Sequence, residues 1–417
     1  MIVKPFRGLR PRPDLASKVA SDPYDVPTDA EARRAAGDNA HSFLHVVRPE
    51  VDLPPGTDPH GDRVYARARE NFRGMIERGW LVRDERPSFY VYRLTWNDRA
   101  QTGMVGAAAV RDYDEGRIKK HEHTRPDKVR DRVRIGQSIR AHPGPVFLAY
   151  RRTAAIDEQA ARATAAAPTV AFRSETGVEH ELWVVDDADR IAALERAWAD
   201  VPSTYVADGH HRAEAAARGS EGMRRAIASP TGDEPCHYFL AVHFPSDELR
   251  ILDYNRVVRD LGGLDIPAFL DRARARGFDV RSGHAERRPP RNHAFGLYAA
   301  GQWYLLEATA EIVDASDPVE GLDAAILSRA LLGPVLDIRD PRTDRRIDFV
   351  GGSRGMDALE SLVNGGTYAA AFAMYPTTMQ QVMRVADAGT VMPPKSTWFE
   401  PKLRSGLVVQ SLEGDAL

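Results

Sequence analysis

The residues with the clearest chemical potential stand where a strand-like apolar run stops and an alanine-rich segment begins. There the sequence reads Asp208-Gly209-His210-His211-Arg212. Glycine adopts backbone angles closed to other residues, so the run predicts a strand, a tight turn and a helix. A helix start offers unpaired N–H groups and partial positive charge, which suit a phosphate. His210, His211 and Arg212 add side-chain donors.

The same residues allow other interpretations. Asp208 can be the N-cap of the helix, and His211 can be a buried histidine whose hydrogen bonds are satisfied. Two adjacent histidines and an arginine make an incomplete metal set, because the remaining ligands would have to come from distant parts of the chain. On residues alone, the phosphate site and the structural role both stay open.

A densely charged stretch contains a second candidate cluster, Lys120-His121-Glu122-His123-Thr124. Such a run is often a solvated helical face. Here a proline follows shortly, which predicts a loop where two imidazoles and a carboxylate can converge on a ligand. Glu122 can act as general base or hold a magnesium ion, and His121 can orient a substrate. The spacing is too short for a helical zinc-protease pattern.

Near the N-terminus, the run Asp22-Pro23-Tyr24-Asp25-Val26-Pro27 presents two acids from a loop, since each proline keeps its preceding residue extended. Asp22 and Asp25 can contact a substrate or simply order the turn. The residues from Thr28 to Glu31 have the spacing of a capping box, which predicts a helix to about Ala36.

Near the C-terminus, three prolines interrupt the regular pattern around a polar group of Lys395, Ser396, Thr397 and Lys402. A rigid loop with a lysine and two hydroxyls can hold phosphate oxygens without a helix. The alternative is a packed tail anchored by aromatic side chains.

The elements that must position these residues alternate along the chain. Hydrophobic periodicity predicts strands over 42–47, 89–96, 102–110 and 145–150, and helices over 62–78 and 188–198. Such alternation is typical of a mixed α/β fold. A shift toward alanine places a domain boundary near position 150, which gives an α/β region over 1–150 and a second over 151–417.

Length and composition limit the function classes. The chain has 417 residues, a formal net charge of -3 and one cysteine, Cys236. Interspersed charges give no general attraction to nucleic acid or an anionic membrane. A lone cysteine forms no intramolecular disulfide, and the sequence contains neither a signal peptide nor an apolar span. We expect a cytoplasmic, soluble protein without nucleic-acid or membrane partners; the oligomeric state is not predicted.

These segments also carry a resemblance. The run 208–212 before an alanine-rich helix resembles the phosphate-binding motif of free L-serine kinases in the ParB/sulfiredoxin superfamily. The whole chain more closely resembles a bacterial and archaeal family of unknown function whose genes often lie beside those for serine biosynthesis. The matching segments are 22–26, 42–50, 120–124, 208–212 and 393–399. The resemblance implies a ParB/sulfiredoxin-like phosphate-binding core, elaborated by additional sheet and helix regions.

The implied activity is that of a small-molecule kinase, a transferase that makes O-phospho-L-serine from free L-serine and ATP or ADP with Mg²⁺. Phosphoryl transfer depends mainly on positioning and charge neutralisation. The expected roles are phosphate binding by Gly209, His211, Arg212, Lys395, Ser396 and Thr397; catalysis by Asp25, Glu122, Asp208 and His210; substrate contact by Asp22, Tyr24, His121 and His123; and magnesium binding by Asp208 and Glu122.

Two other functions remain as alternatives. A phosphoserine phosphatase would use the same phosphate site with water as the nucleophile. A ParB-like nucleotide-dependent binding protein would use it without chemistry, although the chain shows no helix-turn-helix and is mildly acidic.

Overall fold

The computed structural model describes residues 1–414 and 417. The chain forms two compact units: the first combines Met1–Leu249 with Pro401–Leu417, and the second is Arg250–Glu400. No helix in the described part of the chain is both long and apolar enough to cross a bilayer.

The first unit contains both helices and strands, interspersed along the chain. Up to residue 249 they are, in chain order, β1 (Val3–Lys4), β2 (Leu9–Pro11), α1 (Ala16–Val19), α2 (Asp29–Gly37), α3 (Leu44–Val47), α4 (Asp62–Glu77), β3 (Leu81–Arg83), β4 (Phe89–Trp96), β5 (Arg99–Ala109), α5 (Val110–Asp114), β6 (Ile118–Lys119), α6 (Pro126–Ile139), β7 (Ala141–His142), β8 (Val146–Tyr150), α7 (Ala154–Thr164), β9 (Val170–Arg173), β10 (Glu179–Val185), α8 (Ala188–Ala199), β11 (Thr204–Asp208), α9 (His210–Gly219), α10 (Glu221–Ala226) and β12 (Tyr238–Pro245).

A large mixed sheet organises this unit. Its strand order is β6-β11-β8-β12-β5-β4-β10-β9, and β1 pairs with β5. β11 runs parallel to β6, and β12 runs parallel to β8, whereas the remaining pairs are antiparallel. The mixed α/β class is therefore confirmed. The predicted boundary at 150 lies at the end of β8, which pairs with β11 and β12, so both predicted regions contribute strands to one sheet.

Helices cover the sheet and bury β11. Apolar side chains of α7, α8 and α9 form one core cluster with the sheet, including Leu194, Trp198 and Ala213, which are fully buried. A second cluster joins α1 to α4 with the end of α6. Because burial of apolar area is the main stabilising term, β11 and its connection to α9 rest on a rigid base.

Local sequence chemistry explains several elements. The side chain of Thr28 accepts from the backbone N–H of Glu31, and the Glu31 carboxylate accepts in return, so the predicted capping box starts α2. The strand predicted over 42–47 is wrong. Those residues contain the short helix α3, and burial of Phe43, Leu44, Val46 and Val47 follows a helical spacing.

The second unit has its own sheet and core. Its elements are β13 (Arg250–Leu252), β14 (Tyr254–Val258), α11 (Ile266–Ala275), β15 (Phe278–Ser282), β16 (Ala294–Ala299), β17 (Gln302–Ala308), α12 (Asp323–Leu327), β18 (Ile347–Gly351), α13 (Gly355–Asn364), β19 (Ala370–Ala373), α14 (Met379–Asp387) and β20 (Trp398–Glu400). The main sheet has the order β15-β17-β16-β19-β14-β18, and β13 pairs with β20.

After the second unit, the chain returns to the first. Residues 401–417 contain β21 (Gln410–Ser411), which pairs with β7. Backbone hydrogen bonds join Ser405 to Ser21 in both directions, at 2.9 and 3.0 Å. The return segment thus lies against the loop at 21–26 although almost the whole chain separates them.

Candidate functional site

The turn between β11 and α9 has the form that the sequence predicts. Gly209 has φ 90° and ψ 31°, in the left-handed region. The side chain of Arg212 folds back over this turn, so that a Cβ on Gly209 would lie 2.8 Å from the Arg212 Nε. The left-handed backbone conformation favours glycine, and a Cβ would in addition displace the end of the Arg212 side chain. Since Gly209 has no side chain, the first N–H groups of α9 have no cap from this position.

We expect Gly209→Ala to lower the free energy of unfolding by about 1–2 kcal/mol from the backbone alone, because left-handed angles disfavour a Cβ, and further by displacing Arg212. Gly116 is the matched control: it has φ 73°, and a Cβ there would meet nothing within 4 Å. Urea unfolding of both variants separates the two terms. Equal losses in Gly209→Ala and Gly116→Ala would show that the Arg212 contact carries no energy.

Asp208, at the end of β11, holds positive groups around the turn. Its Oδ1 accepts from the backbone N–H of Gly209 at 2.7 Å, and its Oδ2 accepts from Lys402 Nζ at 3.1 Å. The Arg212 guanidinium lies 3.9 Å from Oδ1. Burial raises the pKa of Asp208, but Lys402 and Arg212 outweigh it and hold this pKa below its usual range. The carboxylate is therefore ionised at neutral pH.

Asp208 is consequently not the N-cap of α9, because its carboxylate accepts from Gly209 rather than from the second or third helical residue.

The side chains around Asp208 and Glu122 do not fit a metal site built by the protein. Both Asp208 oxygens already accept hydrogen bonds, and among the described residues no group of three or more His, Cys, Asp or Glu side chains could hold an ion. Glu122, the other expected magnesium ligand, instead contacts His210.

The loop at 120–125 lies directly on the start of α9, and His121 and His210 form its central contact. Their ring centroids are 4.5 Å apart and nearly perpendicular. The backbone N–H of His121 points at His210 Nε2 at 3.5 Å, and Glu122 Oε2 lies 3.5 Å from His210 Nδ1. If Nε2 accepts, the neutral ring of His210 carries its proton on Nδ1, toward Glu122.

Burial makes both rings neutral at pH 7. It lowers the pKa of His121 to about 4 and also lowers the pKa of His210, where the neighbouring His121 acts in the same direction. A neutral imidazole donates one hydrogen bond and accepts another, which fits the two contacts of the His210 ring.

This burial predicts a pH-dependent stability. Between pH 6.5 and about 4 the unfolded chain binds a proton at His121 that the folded chain does not, so stability falls as pH falls through this range. Replacing His121 by Asn should reduce the slope of unfolding free energy against pH by about 1.4 kcal/mol per unit. Urea unfolding at pH 7, 6 and 5 measures the slope, and His123→Asn, in the same loop but exposed, is the control. An unchanged slope in His121→Asn would contradict the prediction.

Two further contacts tie the same loop to α9. The backbone N–H of Arg125 donates to His211 Nε2 at 3.0 Å, and the Thr124 hydroxyl donates to the Glu214 carboxylate. Burial lowers the pKa of His211, and the negative charge of Asp25 opposes this. Tyr24 lines one cavity together with Arg212 and Ala215 of α9, so the loop at 22–26 also lies beside the start of this helix.

Within that loop, Tyr24 is buried and Asp25 is exposed. The Arg132 guanidinium lies 3.8 Å from the centre of the Tyr24 ring. Burial raises the pKa of Tyr24, with Asp25 acting in the same direction and Arg132 and Arg212 opposing it. Arg212 thus acts on both Tyr24 and Asp208.

Asp22 faces the return segment rather than α9, and Arg404 Nη1 donates to Asp22 Oδ1 at 2.5 Å. His123 is exposed and, within residues 1–414, has no side-chain hydrogen bond. Of the first-unit candidates, the structure brings 24–25, 121–122 and 208–212 together, with Asp22 at the margin and His123 on the surface.

The remaining candidates lie in the second unit. The Ser396 hydroxyl donates to the Pro393 carbonyl at 2.6 Å, and Thr377 Oγ1 donates to the Ser396 carbonyl at 2.7 Å. Lys395 has φ 58°, and its carbonyl accepts from buried Arg256 at 3.2 Å. Local contacts order this loop, and its predicted phosphate role, like that of Thr397, stays a prediction.

Two residues near the site lie outside the predicted phosphate-binding and catalytic set. They are Lys402, expected only as part of the C-terminal polar group, and Arg404, for which there is no prediction. Both are the partners of acids at the site, Asp208 and Asp22. No local signal identifies them, because each pair joins residues at least 194 positions apart.

The sheet and helices define a mixed α/β protein in which Asp208, Arg212 and Lys402 surround the turn between β11 and α9. The chain belongs to a family described as "Protein of unknown function (DUF1015)", whose model matches residues 3–325. A comparison with curated proteins found no match.

Several solved structures are similar at low identity. A conserved hypothetical protein from Pyrococcus furiosus is 15% identical with a TM-score of 0.35, and the match covers 69% of this chain and 90% of that one. A variant free serine kinase in complex with ADP is 15% identical with a TM-score of 0.36, covering 70% and 89%. SbnI with a C-terminal truncation, from Staphylococcus aureus, is 10% identical with a TM-score of 0.37, covering 71% and 82%.

Proposed function

We propose that this protein is a cytoplasmic small-molecule kinase that transfers a phosphoryl group from ATP or ADP to the hydroxyl of free L-serine. The observation that carries the proposal is the start of α9. There, N–H groups without a cap from Gly209 lie beside Arg212 and Lys402, both held by Asp208. Fixed donors and charges of this kind stabilise phosphate oxygens as charge builds up on them during transfer.

In this proposal the donor phosphates bind at 209–212. Backbone N–H groups of α9 donate to phosphate oxygens, and His211 and Arg212 flank them. His210, whose single proton lies toward Glu122, is proposed to position that carboxylate. Lys402 supplies a further positive charge, and Asp208 acts as a positioning residue for Lys402 and Arg212. Lys395, Ser396 and Thr397 remain proposed phosphate contacts. A magnesium ion bound to the nucleotide would neutralise charge, but no step here depends on it.

The acceptor binds beside the loops at 22–26 and 120–124. Asp25 is the proposed general base, because its exposed carboxylate has no hydrogen-bond partner within the described chain. It follows Tyr24, which lines one cavity with Arg212 at the start of α9. Glu122 is the less favoured base, since it lies against His210. Tyr24, His121, Asp22 and His123 are proposed to orient the amino acid.

Phosphorus NMR tests the reaction. The protein is incubated with magnesium, L-serine and, separately, ATP or ADP, and Asp208→Ala serves as the impaired variant. We expect a phosphoserine signal with one donor, greatly reduced in Asp208→Ala. Absence of phosphoserine with either donor overturns the proposal. Release of inorganic phosphate from added phosphoserine would then identify a phosphatase, and nucleotide binding without turnover would favour the ParB-like function.

A further inference from the structure

A basic groove lies in the first unit on the surface between α4 and α6. It has a volume of about 550 Å³, and its lining includes Arg69, Arg73, Arg134 and Arg140 together with Asp62. The chain as a whole carries a formal net charge of -3, so this concentration of arginine is local. Small-molecule sites are commonly about 300–1,000 Å³, so the groove is large enough for a metabolite.

One wall is formed by two arginines without partners. Arg69 and Arg73 are exposed and lie four residues apart on α4, and within residues 1–414 their side chains make no hydrogen bond or ion pair. Residues four positions apart lie on the same face of a helix, and two like charges at this spacing repel each other. A helix surface that keeps two unpaired guanidinium groups side by side is therefore suited to an anion that neutralises both.

The opposite wall is held in place by its own contacts. The Arg134 guanidinium forms an ion pair with the Asp62 carboxylate, donates to the His60 carbonyl at 2.7 Å, and lies 3.9 Å from the centre of the buried Tyr65 ring. Arg140, at the left-handed end of α6, lies 3.2 Å from the Glu413 carboxylate. Gln137, which also lines the groove, is held in place because its side chain donates to the Gly219 carbonyl at 3.1 Å.

From this arrangement we infer that the groove binds a small anion carrying several phosphate groups. Guanidinium groups bind phosphate through two parallel N–H donors, which lysine cannot do. Arg134 and Arg140 already pair with carboxylates, so the unpaired positive charge of the groove is that of Arg69 and Arg73. Two separated guanidinium groups favour a ligand with several phosphates over a single phosphate. The inference is independent of the proposed kinase activity, because Arg69 and Arg73 have no role in the proposed serine or nucleotide site.

The test uses inorganic tripolyphosphate as the probe and isothermal titration calorimetry of the full-length protein at low salt. The Arg69→Ser/Arg73→Ser variant should weaken groove binding by about tenfold or more. The charge-matched control is Arg63→Ser/Arg130→Ser, which removes one exposed arginine from each of the same two helices outside the groove. It should leave the affinity unchanged.

A lysine version, Arg69→Lys/Arg73→Lys, keeps the charge and should fall between wild type and the serine variant. If tripolyphosphate binds at the start of α9 as well, Lys402→Met removes that event and leaves the groove event. An isotherm identical in wild type and Arg69→Ser/Arg73→Ser would overturn the inference, and so would an equal loss in the control variant. Neither outcome affects the serine kinase proposal, which the phosphoserine assay decides.

Discussion

Replacing Lys402 by methionine should lower the turnover number for phosphoserine formation by about 100- to 1,000-fold, the usual effect of removing one preorganised group that stabilises transition-state charge. The Lys402 ammonium is 3.1 Å from Asp208 and its side chain is only 14% exposed, so its charge acts in a poorly screened setting. Methionine keeps the length and apolar stem of the side chain but removes the charge. Steady-state kinetics with varied nucleotide measures the effect.

Lys402→Met leaves the Asp208 carboxylate without its closest cation, so the variant should also lose unfolding free energy. This loss must be distinguished from the effect on turnover. The double variant Asp208→Asn/Lys402→Met removes both charges, so it should recover part of the lost unfolding free energy while activity stays low. Lys4→Met is the matched control, since Lys4 forms a 2.9 Å pair with Glu195 on β1 and α8, away from the start of α9. Activity close to wild type in Lys402→Met would remove Lys402 from the proposed phosphate site.

The parts of this structure that the sequence predicts are those decided by local chemistry. Gly209 predicts the turn because only glycine fits its backbone angles, and Thr28 with Glu31 predicts the start of α2 because the capping box is complete within four residues. Hydrophobic periodicity predicts that a strand, β11, is followed by a helix, α9.

The strand predicted over 42–47 failed because a short apolar run does not distinguish a strand from a buried helical turn. Here Pro49 follows α3 and begins a 3₁₀ turn, and the tertiary setting buries consecutive pairs of residues rather than alternate ones. Local propensity is weak evidence over so few residues.

Assembly of the site could not be predicted from spacing. His121 and His210 are 89 positions apart, and the Lys402 and Asp208 pair spans 194. These contacts depend on the parallel pairing of β6 with β11, which places the loop after β6 beside the start of α9, and on the return of the chain after residue 400. The sequence motifs identify the residues of each pair separately. Only the strand order of the sheet brings the two residues of a pair together.

Asparagine in place of Asp25 should lower the turnover number by about 100- to 10,000-fold, the range for loss of a general base. The amide has the shape of the carboxylate but cannot take the serine hydroxyl proton, so the Michaelis constants for serine and nucleotide should change little. Glu122→Gln should cost about tenfold at most, because its carboxylate faces His210 and would act through that ring.

The matched control for this comparison is Asp38→Asn, which changes another exposed aspartate of the first unit at the end of α2 and should leave the kinetics unchanged. Single-turnover measurements with nucleotide bound in advance separate the chemical step from product release. A large loss in Glu122→Gln with normal turnover in Asp25→Asn would assign the base to Glu122. Because Asp25 and Glu122 belong to different loops, that outcome would also move the expected position of the serine hydroxyl from the loop at 22–26 to the side of His210.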